Sequence, residues 1–402
     1  MRALVLDQGL DRGSLAAVRA LHEDGWRVGV GAPFRGLAGS SRFADRWHRV
    51  PAAEGGIDAY IDAVRAAIAA ESYGVVFSAD DIGVLALSRR RDDLAAVVPY
   101  AGHESVVRSI DKLTLTRAAE AAGLAVPRTA ALTDEAVAAL DEPTVVKPRL
   151  HSVLRPGAPG RLETTIARGP DQAREAVRAI RAAGVEPILQ EVVDGELVSF
   201  QAVMDREGRM LAPVQQRSPH TWPPESGSAA RSHTVVIDPL LAGRVRDLFR
   251  DLGWFGLAQL QFIAPRDGRE PRLIDLNGRF YSSLALAVDS GANLPGIWAR
   301  LATGVPLQPW AASRPGCSYQ WFSRDVRDSL HRDGPRGLLD AVRVSATSVH
   351  GAWSRRDPWP ALNLYGSQLA AAGSRRVRGL HRAARIGRRL ADRVPNVLGP
   401  TR

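Results

Sequence analysis

The sequence predicts an α/β and α+β protein with a parallel sheet at its N-terminus and a C-terminal extension. Three observations support this: strand and helix patterns alternate over residues 1–100, further strands and helices follow up to about 310, and the pattern then weakens. A chain of 402 residues is too long for one ordinary core. We therefore expect three units, which are residues 1–104, 105–310 and 311–402.

Short apolar runs and glycine-containing links define the first unit. Alternation of strands with helices predicts a parallel sheet covered by helices, in which ligands bind at the carboxyl ends of strands. Asp80 and Asp81 follow such a strand, so Asp80 is a candidate substrate contact. An ordinary helix N-cap explains it equally well. The predicted strands are 3–6, 26–30 and 74–78, and the helices are 14–23 and 57–70.

The second unit shows a different order of elements. A helix begins near Lys112, and the segment 215–234, which is rich in Ser, Pro, Gly and Arg, is predicted to form a long ordered loop. Beyond residue 310 only two helices are indicated, near 336–346 and 375–394. The remaining predictions are strands 144–147, 187–193, 198–204, 258–263 and 272–276, helices 171–183 and 239–252, and a loop over 151–165.

Lysine is almost absent from this chain. Of 53 basic residues only Lys112 and Lys147 are lysines, and the rest are arginines. Lysine carries a compact charge on a flexible stem, whereas arginine is a planar fork, so a tight phosphate site can require the ammonium. The two lysines are therefore candidate phosphate contacts, although survival by chance is the alternative.

Polar side chains recur on one face of the strand that includes Asp275. Side chains alternate along a strand, so Asp275, Asn277 and Arg279 point the same way, and Gln261 can join them from the neighbouring strand. Hard oxygen ligands beside a guanidinium suit Mg²⁺ and the phosphates of a nucleotide. A solvated strand face would have a similar sequence.

The segment 188–196 is an apolar strand that ends in acidic residues and a glycine turn. Backbone groups of such a hinge can contact an adenine edge, and a carboxylate after the turn can accept hydrogen bonds from ribose hydroxyls. A surface turn with solvated acids is the alternative interpretation.

Together these motifs resemble the ATP-grasp superfamily, in particular its carboxylate–amine ligases. The order matches: Asp-Lys at a helix start, Gly-x-x-x-Pro, Val-Val-Lys-Pro, a loop, Gln-Glu-x-Val-x-Gly-Glu, Gln-Phe, and Asp-x-Asn-x-Arg-Phe. The resemblance covers residues 1–310. It implies a pre-ATP-grasp α/β domain followed by an ATP-grasp fold of two α+β subdomains that clasp ATP.

The resemblance also implies a role for each matching residue. Arg279 would stabilise the transferring phosphoryl group or an acyl-phosphate. The other implied roles are phosphate contacts for Lys112 and Lys147, an adenine hinge at Gln190, Glu191 and Val193, a ribose contact for Glu196, and Mg²⁺ ligands at Gln261, Asp275 and Asn277.

Two positions depart from the family pattern. The family usually has Glu where this chain has Asp275, and Pro where it has Gly278. Many relatives also have Glu at the position of Gln261, although some have Gln. The predicted metal site therefore carries less negative charge than a site with two glutamates, and a glycine loosens the backbone between Asn277 and Arg279.

Two arginines of the segment 215–234, Arg217 and Arg231, are candidates for binding a substrate carboxylate or phosphate in bidentate fashion. Solvated loop charges are the alternative. The proline-rich turn 223–227 resembles one in similar enzymes.

The net charge of +10 is concentrated in the tail. Residues 371–402 contribute +8, so the rest of the chain is nearly neutral, and we expect no specific nucleic-acid partner. The helix predicted at 375–394 is basic and amphipathic, which leaves open a contact with an anionic surface. The single Cys317 fits a reducing compartment, and the short apolar N-terminus predicts no signal peptide, so we expect a cytoplasmic protein.

The sequence thus predicts an ATP-dependent ligase that joins a carboxylate to an amine through an acyl-phosphate and releases ADP and phosphate. Its expected cofactors are ATP and Mg²⁺, with Mn²⁺ as an alternative metal. Its expected partners are small carboxylates and amines, and the oligomeric state is left open. The first alternative is a non-catalytic nucleotide-binding protein that docks on a polyanion or membrane through its tail, and the second is a phosphotransferase.

Overall fold

A computed structural model describes residues 1–132, 142–150, 162, 164–224 and 227–366. Within these ranges the strands form three sheets, of four, seven and four strands. The described part of the chain contains no helix that is both long and apolar enough to span a membrane. The predicted loop at 151–165 falls almost entirely outside the described residues, as does the helix at 375–394.

The first sheet is parallel, as the sequence predicts, with strand order β3-β2-β1-β4. Its central strands are continuous buried apolar runs, the pattern expected when helices cover both faces. Asp11 begins the first helix by accepting a hydrogen bond from the Ser14 N–H at 2.8 Å. The elements are β1 Arg2–Leu6, α1 Arg12–Glu23, β2 Arg27–Ala32, β3 Arg46–Arg49, α2 Ile57–Glu71, β4 Val75–Ser78 and α3 Asp81–Arg89.

A small antiparallel sheet follows, with strand order β5-β8-β6-β7 and one helix packed against it. Its core is separate from the main one and includes Val146, Val177, Ile180 and Leu189. This sheet positions Lys147, which lies in β6. The elements are α4 His103–Ile110, α5 Lys112–Ala121, β5 Thr129–Ala131, β6 Thr144–Pro148, β7 Thr165–Ala167, α6 Pro170–Ala182 and β8 Pro187–Glu191.

The third sheet has seven strands in the order β13-β12-β9-β10-β11-β14-β15. Its buried apolar residues belong to the same core as those of the parallel sheet, so the two sheets form one packed body. The elements are β9 Gly195–Met204, β10 Met210–Trp222, β11 Ser228–Val235, α7 Pro239–Asp251, β12 Gly256–Pro265, β13 Arg272–Asn277, α8 Leu284–Asp289, α9 Leu294–Thr303, β14 Ser318–Gln320, α10 Phe322–Ser345 and β15 Val349–His350.

The prediction of a long loop over 215–234 is wrong. Strands β10 and β11 pair there as an antiparallel hairpin. The segment looked like a loop because many of its residues are polar, but several of these side chains are buried and hydrogen-bonded in the sheet. Ser218 Oγ and Ser232 Oγ, for example, are hydrogen-bonded at 2.7 Å.

The described part of the predicted C-terminal extension is integrated with the rest. β14 pairs with β11, so the seven-stranded sheet crosses the predicted boundary at residue 310. The helix predicted at 336–346 is the second half of α10, which bends at Gly334. Buried Asp357 accepts hydrogen bonds from Arg19 Nε at 3.0 Å and Ser41 Oγ at 2.7 Å, which anchors this segment on the parallel-sheet unit.

Candidate active site

A row of polar side chains crosses the seven-stranded sheet. Asp275 of β13 lies opposite Gln261 of β12, which lies opposite Ser199 of β9, and Ser199 in turn lies opposite Gln216 of β10. Two residues further along β13, Asn277 lies opposite Gln259, and its Nδ2 donates to Gln259 Oε1 at 3.3 Å. The predicted grouping of Gln261, Asp275 and Asn277 on one face is therefore present.

Arg279 links this row to the parallel-sheet unit. Its Nε donates to Asp81 Oδ1 at 2.9 Å, and its Nη2 donates to Asn277 Oδ1 at 2.9 Å. Burial alone would lower the pKa of Arg279, but the ion pair with Asp81 and the nearby Asp11 and Asp275 raise it. The guanidinium is thus held charged and oriented at the edge of the row.

The two lysines lie together beside Asp275. Lys112 Nζ forms an ion pair with Asp275 Oδ1, and Lys147 Nζ donates to Gln190 Oε1 at 2.7 Å and to the Ile274 carbonyl at 3.3 Å. Both lysines line a small cavity of about 10 Å³. Burial, together with the neighbouring ammonium of Lys112, lowers the pKa of Lys147 from 10.5 to about 7, against the opposing effect of Asp275.

In the predicted adenine hinge, the side chains of Gln190 and Glu191 lie on opposite faces of the small sheet. Gln190 faces Lys147 and donates from Nε2 to Thr129 Oγ1 at 2.8 Å. The next side chain, Glu191, points the opposite way and forms an ion pair with Arg272 at 2.8 Å. The backbone N–H of Glu191 donates to the Arg128 carbonyl at 2.9 Å. Val193 lies in the turn between β8 and β9.

Two residues with different predicted roles pair with each other. Glu196 Oε2, the predicted ribose contact, accepts from Arg217 Nη2 at 2.6 Å and from Arg217 Nε at 2.9 Å. The pair is partly exposed and is not among the residues that line the main cavity. Arg217, the predicted contact for a substrate carboxylate or phosphate, therefore lies beside the predicted ribose contact and does not line the main cavity.

Arg231 lies in a different environment from the one expected of a substrate clamp. Its guanidinium is paired with buried Asp325 at 3.0 Å and with Asp340, both in α10. Only 13% of the Arg231 side chain is exposed. These contacts favour a structural role in docking α10 on the sheet over the predicted contact with a substrate. The partners could not be identified from sequence, because Asp325 is 94 positions away.

A cavity of about 610 Å³ lies between the polar row and the carboxyl ends of the parallel strands. Of the predicted site residues, five line it: Asp80, Gln261, Asp275, Asn277 and Arg279. Asp80 is also the N-cap of α3, since its Oδ1 accepts from the Gly83 N–H at 2.7 Å. The cap interpretation is thus confirmed, and the substrate contact stays a prediction. Neither lysine is among the residues that line this cavity, and Lys112 borders it through its ion pair with Asp275.

Sequence reasoning missed the other acidic residues at this edge. Asp11 and Glu54 line the cavity, and Asp7 follows β1 just behind them. Burial raises the pKa of Asp7 to about 8 and that of Asp80 to about 6, with neighbouring carboxylates adding to both shifts. The rule that singled out Asp80 applies equally to the end of β1 and would have found Asp7 and Asp11.

Gly278 has a packing role that the sequence did not reveal. A Cβ at this position would lie 2.3 Å from Cη2 of the Trp254 ring. Trp254 is almost fully buried, so the ring has no room to move aside. The glycine is thus explained by close contact with an indole, rather than by the looser backbone we expected.

Comparison with solved structures identifies the fold. Biotin carboxylase from Campylobacter jejuni, in a complex with β-γ-ATP, matches with a TM-score of 0.60 and 13% identity over 78% of this chain and 74% of that chain. The L-amino acid ligase from Bacillus licheniformis matches with a TM-score of 0.58 and 13% identity over 79% and 78%. An ADP complex of N5-carboxyaminoimidazole ribonucleotide synthetase matches with a TM-score of 0.58 and 20% identity over 79% and 80%.

No protein-family model matches the sequence, and no curated protein is significantly similar to it. The structural matches extend over more than three quarters of the chain. The chain therefore has the ATP-grasp fold that its motifs resemble, preceded by an α/β unit. At these identities the comparison establishes the fold and not the reaction.

Proposed function

We propose that the chain is an ATP-dependent ligase that joins a carboxylate to an amine through an acyl-phosphate. The observation that supports this most is that Asp275 and Arg279 line the cavity, while Lys112 is paired with Asp275 and Lys147 donates to the carbonyl of the adjacent Ile274. Two lysines and a guanidinium suit the negative phosphates of a nucleotide, and the acid between them suits a divalent cation. Two of the structural neighbours are named as a ligase and a synthetase, which is consistent with this chemistry.

The donor set fits Mg²⁺ when a nucleotide completes it. Asp275 contributes a carboxylate, and Gln261 and Asn277 contribute amide oxygens on the same face. Magnesium is usually held by one or two carboxylates plus phosphate oxygens and water. Asn277 Oδ1 already accepts from Arg279, but a carbonyl oxygen has a second lone pair available. When bound, the metal would neutralise phosphate charge.

The reaction would proceed in two displacements. An oxygen of the substrate carboxylate attacks the γ-phosphorus, the bond to the β,γ-bridging oxygen breaks, and ADP leaves. The amine nitrogen then attacks the acyl carbon, the bond between that carbon and the phosphate oxygen breaks, and phosphate and a proton are released. The residues of the site would act by positioning and by neutralising charge, as in other phosphoryl transfers.

Oxygen labelling tests this mechanism directly. With ¹⁸O in both carboxylate oxygens of the acid, the acyl-phosphate route transfers one labelled oxygen to the released phosphate. The full-length chain would be screened with Mg²⁺, ATP and pooled acids and amines for ADP release, and an active pair would be labelled. Unlabelled phosphate from that pair would contradict the proposal. The variant Asp275→Asn should slow ADP release in this screen. Asp267→Asn, which changes an aspartate of an exposed turn, is its matched control.

A second candidate is a nucleotide-binding protein without catalysis. One observation favours it: the only carboxylate of the predicted metal set, Asp275, is engaged by Lys112. This candidate predicts ADP and ATP binding with no turnover on any acid and amine pair, so the same screen separates the two.

A further inference from the structure

The end of the cavity that faces the parallel sheet is strongly acidic. Five carboxylates and one guanidinium line the whole cavity. The guanidinium, from Arg279, is paired with Asp81. Asp11, Glu54 and Asp80 have no ion pair with any Lys, Arg or His in the part of the chain that the structure describes. Arg279 and Arg12 lie near enough to Asp11 to offset part of its charge, so the excess negative charge of the cavity falls mainly on Glu54 and Asp80.

Hydrogen bonds within the protein use only part of this acidic surface. Asp11 Oδ1 and Asp80 Oδ1 cap the helices α1 and α3, and Glu54 Oε2 accepts from Gln8 Nε2 at 3.2 Å. A carboxylate has about four lone-pair sites, so each of these groups keeps acceptor capacity toward the cavity. The N–H groups of an ammonium or guanidinium can donate to this remaining acceptor capacity.

Two buried polar atoms in the same cavity point independently to a ligand. Ser199 Oγ and Gln216 Oε1 have no hydrogen-bond partner, although each residue is only 1% exposed. The amide of Gln216 is oriented, because its Nε2 donates to Ser283 Oγ at 2.9 Å, which leaves an acceptor oxygen. Buried polar atoms are rarely left unpaired, since each one costs roughly 1–3 kcal/mol. These atoms lack a donor group that a bound molecule would supply.

Apolar side chains lie at the opening of this region. Leu10 and Phe34 line the cavity, and both are substantially exposed. Acceptors at the base with apolar walls at the opening match a cationic head on an alkyl stem. Burial raises the pKa of Asp80 to about 6, and a bound cation would lower it.

We propose that the amine substrate carries a cationic head, separate from the nitrogen that attacks the acyl-phosphate, and that Asp11, Glu54 and Asp80 hold this ammonium or guanidinium group. The proposal rests on the ligase function above, since it takes this cavity as the place where the uncharged second nitrogen meets the activated acid. It names the class of substrate as an amine that also bears an alkylammonium or alkylguanidinium group.

Calorimetric titration of the full-length chain tests this. The probes are 1,4-diaminobutane and agmatine, compared with the neutral 1,4-butanediol and the anionic succinate. The variants are Asp80→Asn and Glu54→Gln, which keep the hydrogen-bonding shape and remove one charge each, and asparagine remains a good helix cap. The control is Asp62→Asn, which removes an exposed acid of α2 outside the cavity.

We expect a cationic probe to bind at least about tenfold more tightly than the diol. Each cavity variant should lower the affinity for the cationic probe about tenfold or more, which is the loss expected for one charge-assisted hydrogen bond. The control variant should bind like the wild type. Tighter binding of succinate, no measurable binding of either cation, or equal binding by the cavity variants would overturn the proposal.

A parallel titration with ADP and Mg²⁺ tests the proposed substrate class separately from the proposed ligase function. Nucleotide binding without cation binding rejects only the substrate class. Failure to bind nucleotide rejects the ligase function itself, whatever the cations do.

Discussion

Arg279 Nε donates to Asp81 Oδ1 at 2.9 Å, although the two residues are 198 positions apart in sequence. The contact joins the end of the polar row on the seven-stranded sheet to the first turn of α3. Aromatic packing next to Arg279 supports this contact. The ring centroid of Phe280 lies 5.3 Å from that of Phe77 and 5.4 Å from that of Trp298. The two sides of the cavity are therefore held in fixed register at the residue with the proposed catalytic role.

The first prediction concerns this pair. Asp81→Asn should leave Arg279 charged but poorly oriented, because the ion pair becomes a neutral hydrogen bond. We expect kcat to fall by about tenfold or more with a smaller change in KM for ATP, since the group would act mainly in the transition state. Asp93→Asn, in an exposed turn after α3, should leave both constants unchanged. A change in KM alone would contradict the positioning role.

The second prediction follows from the pKa of Lys147, which is about 7. The ammonium exists below this pKa, so a phosphate that needs it should bind well below pH 7 and progressively less well above it. ATP binding at about pH 8.5 should take up close to one proton, because the bound phosphate restores the charge. Titrations in buffers of different ionisation enthalpy measure this uptake.

Substitutions of Lys147 make the test specific. Lys147→Ala should bind ATP weakly and turn over nothing, and its proton uptake should be lost. Lys147→Arg should also be poor, because the site around Gln190 and Ile274 fits a point charge. Arg178→Met, on the exposed face of α6, is the control. Wild-type ATP affinity in both Lys147 variants would show that this lysine does not contact phosphate.

The third prediction concerns the metal. Asp275→Asn should cost on the order of 10²-fold in rate and weaken the Mg²⁺ dependence, since it removes the only carboxylate of the proposed ligand set. Asp275→Glu, which introduces the residue usual in the enzymes that the motifs resemble, should remain active. Both variants should fold, because the side chain borders a polar cavity. Rates measured across a Mg²⁺ titration decide this, and an unchanged titration curve in Asp275→Asn would place the metal elsewhere.

The fourth prediction tests the contact between Gly278 and Trp254. Gly278→Ala should lower the free energy of unfolding by about 1–3 kcal/mol, because the added Cβ meets the indole ring. In the Trp254→Leu background, Gly278→Ala should lower the free energy of unfolding by less than it does in the wild type. Urea unfolding of the two single variants and the double variant measures this difference. Gly243→Ala, in α7 with nothing near the added carbon, should instead gain about 0.5–1 kcal/mol. Equal effects at both glycines would rule out the packing explanation.

The site residues that could be predicted from the sequence follow the regular alternation of side chains along a strand. Alternation along a strand placed Asp275, Asn277 and Arg279 on one face, and the spacing to Gln261 matched the observed register. Long-range packing decided what could not be predicted. Glu54 reaches the cavity only because the loop before α2 lies against the ends of the parallel strands.

The hairpin at 215–234 shows a second limit. Ser218 pairs with Ser232 across β10 and β11, and Arg231 pairs with distant acids of α10, so none of these partners is visible in a local pattern. The same limit applies to the acidic cavity. Five carboxylates are scattered through the first 275 residues, and only the packing of two sheets collects them.

The last prediction concerns the products and the tail. The lysines, Asp275 and Arg279 are proposed to surround the terminal phosphates, so attack at the γ-phosphorus is favoured over attack at the α-phosphorus. ADP and phosphate should therefore appear in equal amounts with the amide, and AMP should not form. Nucleotide products can be separated by ion-exchange chromatography, and AMP as the product would reject the acyl-phosphate route.

Deletion of residues 371–402 extends this test to the alternative function. The deletion removes a charge of +8 but none of the proposed site residues, so a ligase should keep its kcat and KM. A binding module that docks through its tail would behave in the opposite way, with no turnover before truncation and lost affinity for anionic vesicles after it. Vesicle co-sedimentation in parallel with the ADP assay measures both properties on the same two proteins. Loss of turnover on truncation would mean that the tail completes the active site, which the placement of the described site residues does not require.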